Sequence, residues 1–249
     1  MCGTCGCGEP TRHAHQHGHE HRHRDLVDVE LDVLAANDRI ATVNRHWLTE
    51  RNVLAVNLMS SPGSGKTSLL ERTARDLTGT VPVSVLEGDQ ETELDAERIR
   101  TTGVRVIQVN TGAGCHLDAS MLQRELPALE PPRGSLVFVE NVGNLVCPAL
   151  FDLGEHHRAV IVSVTEGADK PAKYPTMFAG ADVLLLNKVD LLPYVDFDAD
   201  VFAAAVQRVN PGLPVLHVSA TTGEGLAAWY CWLEAGRTRL NESAREATV

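Results

Sequence analysis

The stretch from Val53 to Leu69 constrains the fold of this chain more than any other. Its first part, Val53 to Met59, is an apolar run that predicts a buried strand. Helix-forming residues begin at Lys66, and the intervening sequence leads into Gly-Ser-Gly-Lys-Thr. A strand, a glycine-rich turn and a helix in this order form the context of a phosphate-binding loop. The alternative interpretation is a Ser/Gly-rich turn without a ligand.

The residue types of this loop suit phosphate binding. Gly63 and Gly65 allow the backbone to curl, so that successive N–H groups converge on phosphate oxygens. Lys66 can reach the β- and γ-phosphates, and the Thr67 hydroxyl can bind Mg²⁺. Ser60 stands where the usual pattern has its first glycine. The predicted nucleotide-binding residues are contiguous: Gly63, Ser64, Gly65, Lys66, Thr67 and Ser68.

The rest of the sequence predicts an α/β fold with a mostly parallel sheet and helices on both faces. From Val53 onward, apolar runs alternate with helical segments, which is the pattern of such folds. Candidate strands are 53–59, 81–87, 104–109, 135–140, 158–164, 182–187 and 214–218. Candidate helices are 66–77, 92–101, 118–129, 198–208 and 224–236. We therefore assign residues 53–249 to one P-loop domain.

Residues 25–52 are assigned to an N-terminal helix and its connection to that domain. Val33, Ile40, Val43 and Trp47 recur there at nearly helical spacing. We expect this helix to brace the domain that follows. Cys231 is assigned to helix packing, and His46, His156, His157 and His217 to structural or surface positions.

Composition excludes several classes of protein. The hydrophobic content of 43% suits a globular domain, and the net charge of −11 argues against a nucleic-acid partner. No apolar stretch approaches the roughly 20 residues that span a bilayer. Cysteines and histidines occupy the N-terminus, where a secretory signal would have an apolar region. We therefore expect a cytoplasmic protein whose six cysteines are thiols or metal ligands rather than disulfides.

The sequence Asn187-Lys188-Val189-Asp190 predicts specificity for guanine. It directly follows an apolar strand, about 120 residues after the phosphate-binding loop. The Asp190 carboxylate can accept hydrogen bonds from N1–H and the exocyclic amine of guanine, whereas adenine lacks both donors. Asn187 can contact the other edge of the base, and the Lys188 stem can cover the ring. Sites of this kind discriminate by factors on the order of 10⁴.

Other candidates for the nucleotide site come from three further segments. Ser219 and Ala220, after the last predicted strand, match a third guanine-contacting element. Glu140 ends an apolar strand where a carboxylate holds Mg²⁺, and Gly143 can offer its N–H to the γ-phosphate. Asp89 is a second acidic candidate for metal binding or for positioning water, or else caps the following helix. Lys66, Asp89 and Glu140 are the predicted catalytic residues.

Two groups of cysteines and histidines predict metal binding. Cys2, Cys5 and Cys7 provide three thiolates separated by small residues, a soft donor set suited to zinc, copper(I) or nickel(II). Cys115 and His116 lie in a glycine-flanked loop, and Cys147 follows Glu140 by seven residues. A strip of alternating imidazoles, which lie on one face of an extended segment, indicates metal storage: His13, His15, His17, His19, His21 and His23. Without metal, residues 1–24 are expected to be a disordered arm.

Taken together, these motifs resemble one family, the hydrogenase nickel-incorporation GTPases known as HypB. The resemblance rests on the N-terminal Cys-Gly-Thr-Cys-Gly-Cys, the histidine tract and the phosphate-binding loop. It continues through Glu-Gly-Asp-Gln at 87–90, Gly-Cys-His-Leu-Asp at 114–118, Glu-Asn-Val-Gly-Asn-Leu-Val-Cys-Pro at 140–148 and Asn-Lys-Val-Asp at 187–190. Ser60 and Glu140 depart from generic NTPases but are ordinary for this family.

The resemblance implies a function that spacing alone does not. It implies a GTPase that forms a nucleotide-dependent homodimer and delivers Ni²⁺ to the large subunit of [NiFe] hydrogenase, with a small nickel- and zinc-binding chaperone as partner. Cys2, Cys5 and Cys7 would then form a tight nickel site. Cys115, His116 and Cys147 would form a second site for nickel or zinc, and the histidine tract would buffer nickel.

Two rival functions stay open at this stage. One is a nickel storage protein with a vestigial nucleotide site, and the other is a GTPase that serves urease or another metalloenzyme. Lys66, Thr67, Asn187 and Asp190 argue against the first. The N-terminal cysteines and the segment around Cys147 favour hydrogenase over urease.

Overall fold

The computed structural model describes residues 18–89, 94–112 and 114–246, with side chains described for 31–89, 94–112 and 114–243. The predicted nickel ligands Cys2, Cys5 and Cys7, and the first histidines of the tract, lie outside the described residues. The chain divides into two compact units, residues 1–36 and 37–249. The first helix, α1, spans Gly18–Thr49. The backbone of the last three histidines of the tract is therefore helical, not extended as predicted.

A parallel sheet forms the centre of the second unit. In the described part of the chain it has seven strands in the order β3-β2-β4-β1-β5-β6-β7. The strands are β1 (Leu54–Ser60), β2 (Val83–Asp89), β3 (Arg105–Asn110), β4 (Leu136–Glu140), β5 (His157–Ser163), β6 (Val183–Asn187) and β7 (Val215–His217). The chain order reverses on either side of β1, so the carboxyl ends of β1 and its neighbours border the crevice in which such sheets bind ligands.

Helices connect successive strands of the sheet, as the alternating pattern predicts. They are α2 (Lys66–Leu77), α3 (Leu94–Arg100), α4 (Ala119–Leu129), α5 (Cys147–Leu150), α6 (Lys170–Lys173), α7 (Pro175–Ala179), α8 (Ala199–Val209) and α9 (Leu226–Glu246). A 3-10 helix, Val189–Tyr194, follows β6. None of the helices in the described residues has the length and apolar character required to cross a bilayer.

The core lies on both faces of the sheet because successive strand side chains point to opposite sides. Leu54 and Val56 of β1 pack into a cluster with Phe138 and with Trp229 of α9. Ala55, which lies between them, packs on the other face among residues of α1 and α4. A third cluster joins β5 and β6 to α7 and α8.

The buried face of α1 differs in part from the predicted one. Within residues 37–49 it consists of Asn37, Ala41, Asn44 and Leu48, whereas Val43 is 56% exposed. Asn44 donates hydrogen bonds to the carbonyl oxygens of Ala119 and Leu153, both at 2.8 Å. Asn37 accepts from Ala119 N at 2.9 Å and donates to Asp152 O at 2.7 Å. The helix braces the domain through these amides and through Trp47, which packs against the core, so apolar spacing identified only part of the buried face.

The prediction for Cys231 is also wrong. Its side chain is exposed, whereas Trp229 and Leu233 on the same helix are buried. These two residues are four apart and share one face of α9, and Cys231 lies midway between them in sequence, so it points away. The Trp229 indole N–H donates to Thr73 Oγ1 at 3.1 Å, which fixes α9 against α2.

Candidate nucleotide and metal sites

The phosphate-binding loop runs from the end of β1 to the start of α2. Gly63 and Gly65 have φ angles of 78° and 90°, which side-chain-bearing residues rarely adopt. A Cβ at position 65 would lie 2.6 Å from Asn187 Nδ2, so the close approach of the base-binding segment also requires glycine. Ser60, which replaces the usual glycine, is fully buried at the end of β1.

Lys66, Thr67 and Glu140 converge at the carboxyl ends of β1 and β4. Lys66 Nζ and Thr67 Oγ1 lie 2.8 and 2.7 Å from the same oxygen, Glu140 Oε1. The Lys66 and Glu140 side chains are only 11% and 1% exposed. A buried carboxylate between the lysine and the threonine of such a loop matches the predicted position of a magnesium-binding acid.

Two neighbouring carboxyl groups give this end of the sheet the character of a cation site. Glu87 is paired in register with Glu140 on adjacent strands. Burial, followed by the charges of Glu140 and Asp89, raises the pKa of Glu87 to about 8. Glu87 Oε2 and Glu140 Oε2 are both buried, and neither finds a hydrogen-bond partner among the described residues. These orphaned oxygens fit Mg²⁺, which prefers carboxylate ligands and would neutralise the accumulated charge.

The base-binding segments surround the other end of the loop. Asn187 Nδ2 donates to Ser64 O at 2.9 Å, and Asn187 Oδ1 accepts from Ala220 N at 3.2 Å. The Lys188 ammonium donates to Gly63 O at 2.7 Å. The structure thus brings together the loop, the segment at 187–190 and the segment at 219–220, as the sequence predicts.

Asp190 and Ser219 complete this side of the site. Asp190 Oδ1 is buried and has no hydrogen-bond partner among the described residues. A buried carboxylate oxygen of this kind fits a ligand that supplies N–H donors, as the guanine edge does. Ser219 Oγ accepts from Thr222 N at 3.0 Å and so shapes the loop that carries Ala220.

A cavity of about 550 Å³ lies along the phosphate-binding loop, and its surroundings include residues that the sequence did not reveal. Asp95 Oδ2 accepts from Thr67 Oγ1 at 3.1 Å. Arg98 lines the same cavity and bonds Ser68 Oγ at 3.1 Å and Glu71 Oε2 at 3.0 Å. The sequence signal for these residues was the three-residue spacing of Asp95 and Arg98, which places both on one face of the helix after β2. Asp89, Gly143 and Lys188 also line the cavity.

Cys115, His116 and Cys147, the predicted metal ligands, lie together in the structure. Their ligand atoms all lie within 4.8 Å of one another. The two thiols are 2.8 Å apart, and His116 Nδ1 is 3.7 Å from Cys115 Sγ. His116 stacks on Phe151 with ring centroids 4.0 Å apart, a partner that spacing could not reveal. Burial lowers the pKa of His116, which favours the neutral imidazole that binds metals.

Comparison with known proteins assigns the chain to a family. The model of the CobW/HypB/UreG nucleotide-binding domain matches residues 54–217. The hydrogenase maturation factor HypB of Rhizobium leguminosarum bv. viciae is 56% identical over 214 residues, which are 86% of this chain and 72% of that protein. The chain belongs to the HypB family. The resemblance drawn from the motifs is thereby confirmed.

Other HypB proteins extend the comparison to solved structures. HypB of Escherichia coli strain K12 is 54% identical over 85% of this chain and 73% of its own length. The crystal structure of HypB from Archaeoglobus fulgidus superposes with a TM-score of 0.77 at 40% identity, covering 82% of this chain and all of that one. HypB from Helicobacter pylori, solved in complex with nickel, has a TM-score of 0.73 at 35% identity, covering 85% and 96%. These structures confirm the predicted fold class.

Proposed function

We propose that this chain hydrolyses GTP to GDP and phosphate and uses the turnover to time the delivery of nickel to a [NiFe] hydrogenase. The observation that carries the proposal is the single segment 140–147, in which Glu140 bonds Lys66 of the phosphate cavity and Cys147 lies beside Cys115. Relatives named hydrogenase maturation factors and a HypB structure in complex with nickel support it.

The chain's own groups supply the parts of phosphoryl transfer other than the metal. Lys66 and the backbone N–H groups of residues 63–68 stabilise the charge that develops on the phosphates. Asp190 binds the guanine edge, and Asn187 holds the base segment against the loop. Thr67 and Glu140, with Asp89, would hold Mg²⁺, which when bound neutralises charge on the phosphate oxygens. Water is the nucleophile.

Hydrolysis is expected to be slow in the isolated chain. Arg98 is the arginine that lines the described part of the cavity, and it is engaged with Ser68 and Glu71. GTPases without an inserted arginine turn over at roughly 10⁻⁴–10⁻³ s⁻¹. A low intrinsic rate suits a protein whose turnover marks a step in a delivery sequence.

The partners belong to the same proposal. The chain acts as a nucleotide-dependent homodimer, works with a small nickel- and zinc-binding chaperone and serves the hydrogenase large subunit directly or through that chaperone. It is cytoplasmic and binds neither nucleic acid nor membrane. Cys115, His116 and Cys147 carry nickel or zinc, Cys2, Cys5 and Cys7 carry nickel, and the histidine tract buffers nickel.

One observation favours a second candidate function. The HypB of Helicobacter hepaticus, 37% identical over 87% of this chain, is named a hydrogenase/urease maturation factor. The same GTPase chemistry could therefore serve urease.

The test is complementation of a strain that lacks this chain. Wild-type protein is expected to restore hydrogenase activity at low nickel, whereas Lys66→Ala, which loses the phosphate-binding ammonium, is not. Added nickel is expected to bypass part of the defect. Full hydrogenase activity in the Lys66→Ala strain at low nickel would refute the proposal, and restoration of urease alone would favour the second function.

A further inference from the structure

The segment 140–147 runs from the phosphate-binding loop to the metal cluster formed by Cys115, His116 and Cys147. Glu140 bonds Lys66 and Thr67 in the cavity. Gly143 packs against the phosphate-binding loop so closely that a Cβ there would lie 3.2 Å from Pro62 Cγ. Cys147 ends the segment beside Cys115. A change at the phosphates therefore has a short covalent path to one metal ligand, but Cys115 and His116 belong to a different loop.

Asn141 connects this segment to that loop from within the core. It directly follows Glu140 and is fully buried. Its Oδ1 accepts hydrogen bonds from Leu117 N at 3.2 Å and Val142 N at 3.0 Å. Its Nδ2 donates to Asn57 Oδ1 at 3.3 Å. The two backbone donors determine which amide atom is the oxygen, because Nδ2 could not accept from either.

Leu117 is a firm point of attachment for the metal loop. It directly follows His116 and is fully buried. It presses on Gly88 of β2, where a Cβ would lie 2.7 Å from Leu117 Cγ. Gly88 itself lines the phosphate cavity. A shift of Leu117 would move His116 with it, because a close-packed residue cannot yield without its chain neighbours.

We propose that the Asn141 carboxamide is a positioning residue that couples the phosphate cavity to Cys115 and His116 through its hydrogen bond from Leu117 N. The inference rests on the proposed function, since it needs a chain in which nucleotide and metal influence one another. It assigns the coupling to one buried acceptor. When Glu140 moves, Asn141 moves with it, and the hydrogen bond from Leu117 N then displaces the loop that holds Cys115 and His116.

Asn144 provides a second and weaker connection. Its Nδ2 donates to Cys115 O at 3.3 Å, and its Oδ1 accepts from Val146 N at 2.8 Å. Its side chain is partly exposed, so water can replace the bond to Cys115. Asn141 is fully buried, so water cannot replace its hydrogen bond. Loss of the Asn141 side chain therefore leaves the Leu117 N–H without an acceptor.

The test measures how metal changes nucleotide affinity in the full chain. Fluorescent GDP and a fluorescent non-hydrolysable GTP analogue are titrated with and without saturating Ni²⁺. Cys115→Ala defines the shift that does not come from the cluster. In the wild type, Ni²⁺ is expected to change the ratio of the GDP and GTP-analogue affinities by about 5-fold or more beyond the change measured in Cys115→Ala. Asn141→Ala is expected to bind both nucleotides in the absence of metal. Ni²⁺ should change its affinity ratio only as much as it does in Cys115→Ala.

Two further variants separate coupling from general destabilisation. Asn57→Ala removes the other partner of the same carboxamide and leaves the bond to Leu117, so it is expected to keep the wild-type shift. Asn141→Asp retains the acceptor oxygen and is also expected to keep it. The Asp variant tests the role even where Asn141→Ala does not fold.

Several outcomes would overturn the role of Asn141. They are a wild-type shift in Asn141→Ala, an equal loss in Asn57→Ala, and a lost shift in folded Asn141→Asp. If Ni²⁺ did not change the nucleotide affinities of the wild type, the role of Asn141 would also be refuted, whereas the proposed GTP hydrolysis would not be affected. A wild type that neither binds nor hydrolyses GTP would instead refute the proposed function.

Discussion

Asp190, at the predicted guanine contact, has a buried carboxylate oxygen that finds no partner in the described part of the chain. Asp190→Asn replaces this acceptor with an amide that can donate to the 2-oxo group of xanthine. We expect GTP affinity to fall by about 100-fold or more, and xanthosine triphosphate to bind better than to the wild type. Nucleotide titrations measure both effects. Asp200→Asn, an exposed change on α8, is the matched control. Equal affinity of the wild type for ATP and GTP would contradict the assignment.

His156 makes stability sensitive to mild acid. Its Nδ1 accepts from Ala55 N at 3.1 Å, so the neutral ring carries its proton on Nε2, which faces Thr49 Oγ1 at 3.0 Å. Burial, with the nearby charges of His157 and Arg45, lowers the pKa of His156 to about 4. The unfolded chain, with a pKa near 6.5, then binds more protons than the folded chain between these values. Stability is therefore lost as pH falls from about 6.5 toward 4.

The size of this effect follows from the shift in pKa. We expect a loss of roughly 2–3 kcal/mol of unfolding free energy from His156 across that range. Denaturant titrations at several pH values measure it. His156→Asn can keep the acceptor for Ala55 N but does not titrate, so its stability should depend less steeply on pH. An unchanged slope in that variant would assign the acid sensitivity to other groups.

At the scale of elements, α1 is held by amides rather than by apolar contacts alone. Asn44→Ala leaves the carbonyl oxygens of Ala119 and Leu153 without their donor in a buried place. We expect it to lower the unfolding free energy by about 2–3 kcal/mol. Val43→Ala, the adjacent exposed position, should change it by less than about 0.5 kcal/mol. Equal effects of the two changes in denaturant unfolding would mean that the amide bonds do not brace the helix.

The elements differ in how well the sequence predicts them. All seven predicted strands lie within two residues of the observed ones, because parallel strands buried on both faces read as continuous apolar runs. The short helices α5, α6 and α7 were not predicted, since four or five residues show no helical period. Part of the buried face of α1 was missed because two of its residues, Asn37 and Asn44, are polar and find their partners only in the folded chain.

The candidate site follows the same division. Residues within contiguous motifs, such as Lys66, Thr67 and Asp190, were found because backbone geometry requires their spacing. Asp95 and Phe151 were not: the spacing of Asp95 and Arg98 does not show that Asp95 reaches Thr67, and only tertiary packing brings Phe151 to His116.

At the scale of the whole molecule, metal capacity should divide between the N-terminal segment and the nucleotide-binding domain. Residues 1–24 contain three cysteines and the six alternating histidines. Removing them is expected to abolish binding of several nickel ions and to leave about one per chain, the number that Cys115, His116 and Cys147 can hold. Equilibrium dialysis counts the ions. Several nickel ions on the shortened chain would show that the histidine tract is not the store.

The state of the nucleotide should in turn change the affinity of the remaining metal site. Glu140, bonded to Lys66 and Thr67 of the phosphate-binding loop, is expected to respond to the phosphates, and Cys147 lies seven residues further along the same segment. A thiolate displaced by about 1 Å leaves the roughly 2.3 Å bonding distance that zinc requires, and nickel should be similarly sensitive. The chain without residues 1–24 is therefore expected to bind nickel with different affinities when GDP and when a non-hydrolysable GTP analogue is bound. Linkage then requires that nickel change the ratio of the affinities for the two nucleotides by the same factor.

Matched cysteine variants make this last prediction specific. Cys147→Ala removes the ligand on the moving segment and should abolish the difference, while GTP binding persists because Lys66 and Asp190 are untouched. Cys231→Ala removes an exposed cysteine on α9 and should leave the difference intact. Identical nickel affinities of the shortened wild type in both nucleotide states would mean that the cluster is structural. In that case GTP turnover would have to act on nickel delivery through dimerisation or through the partner chaperone.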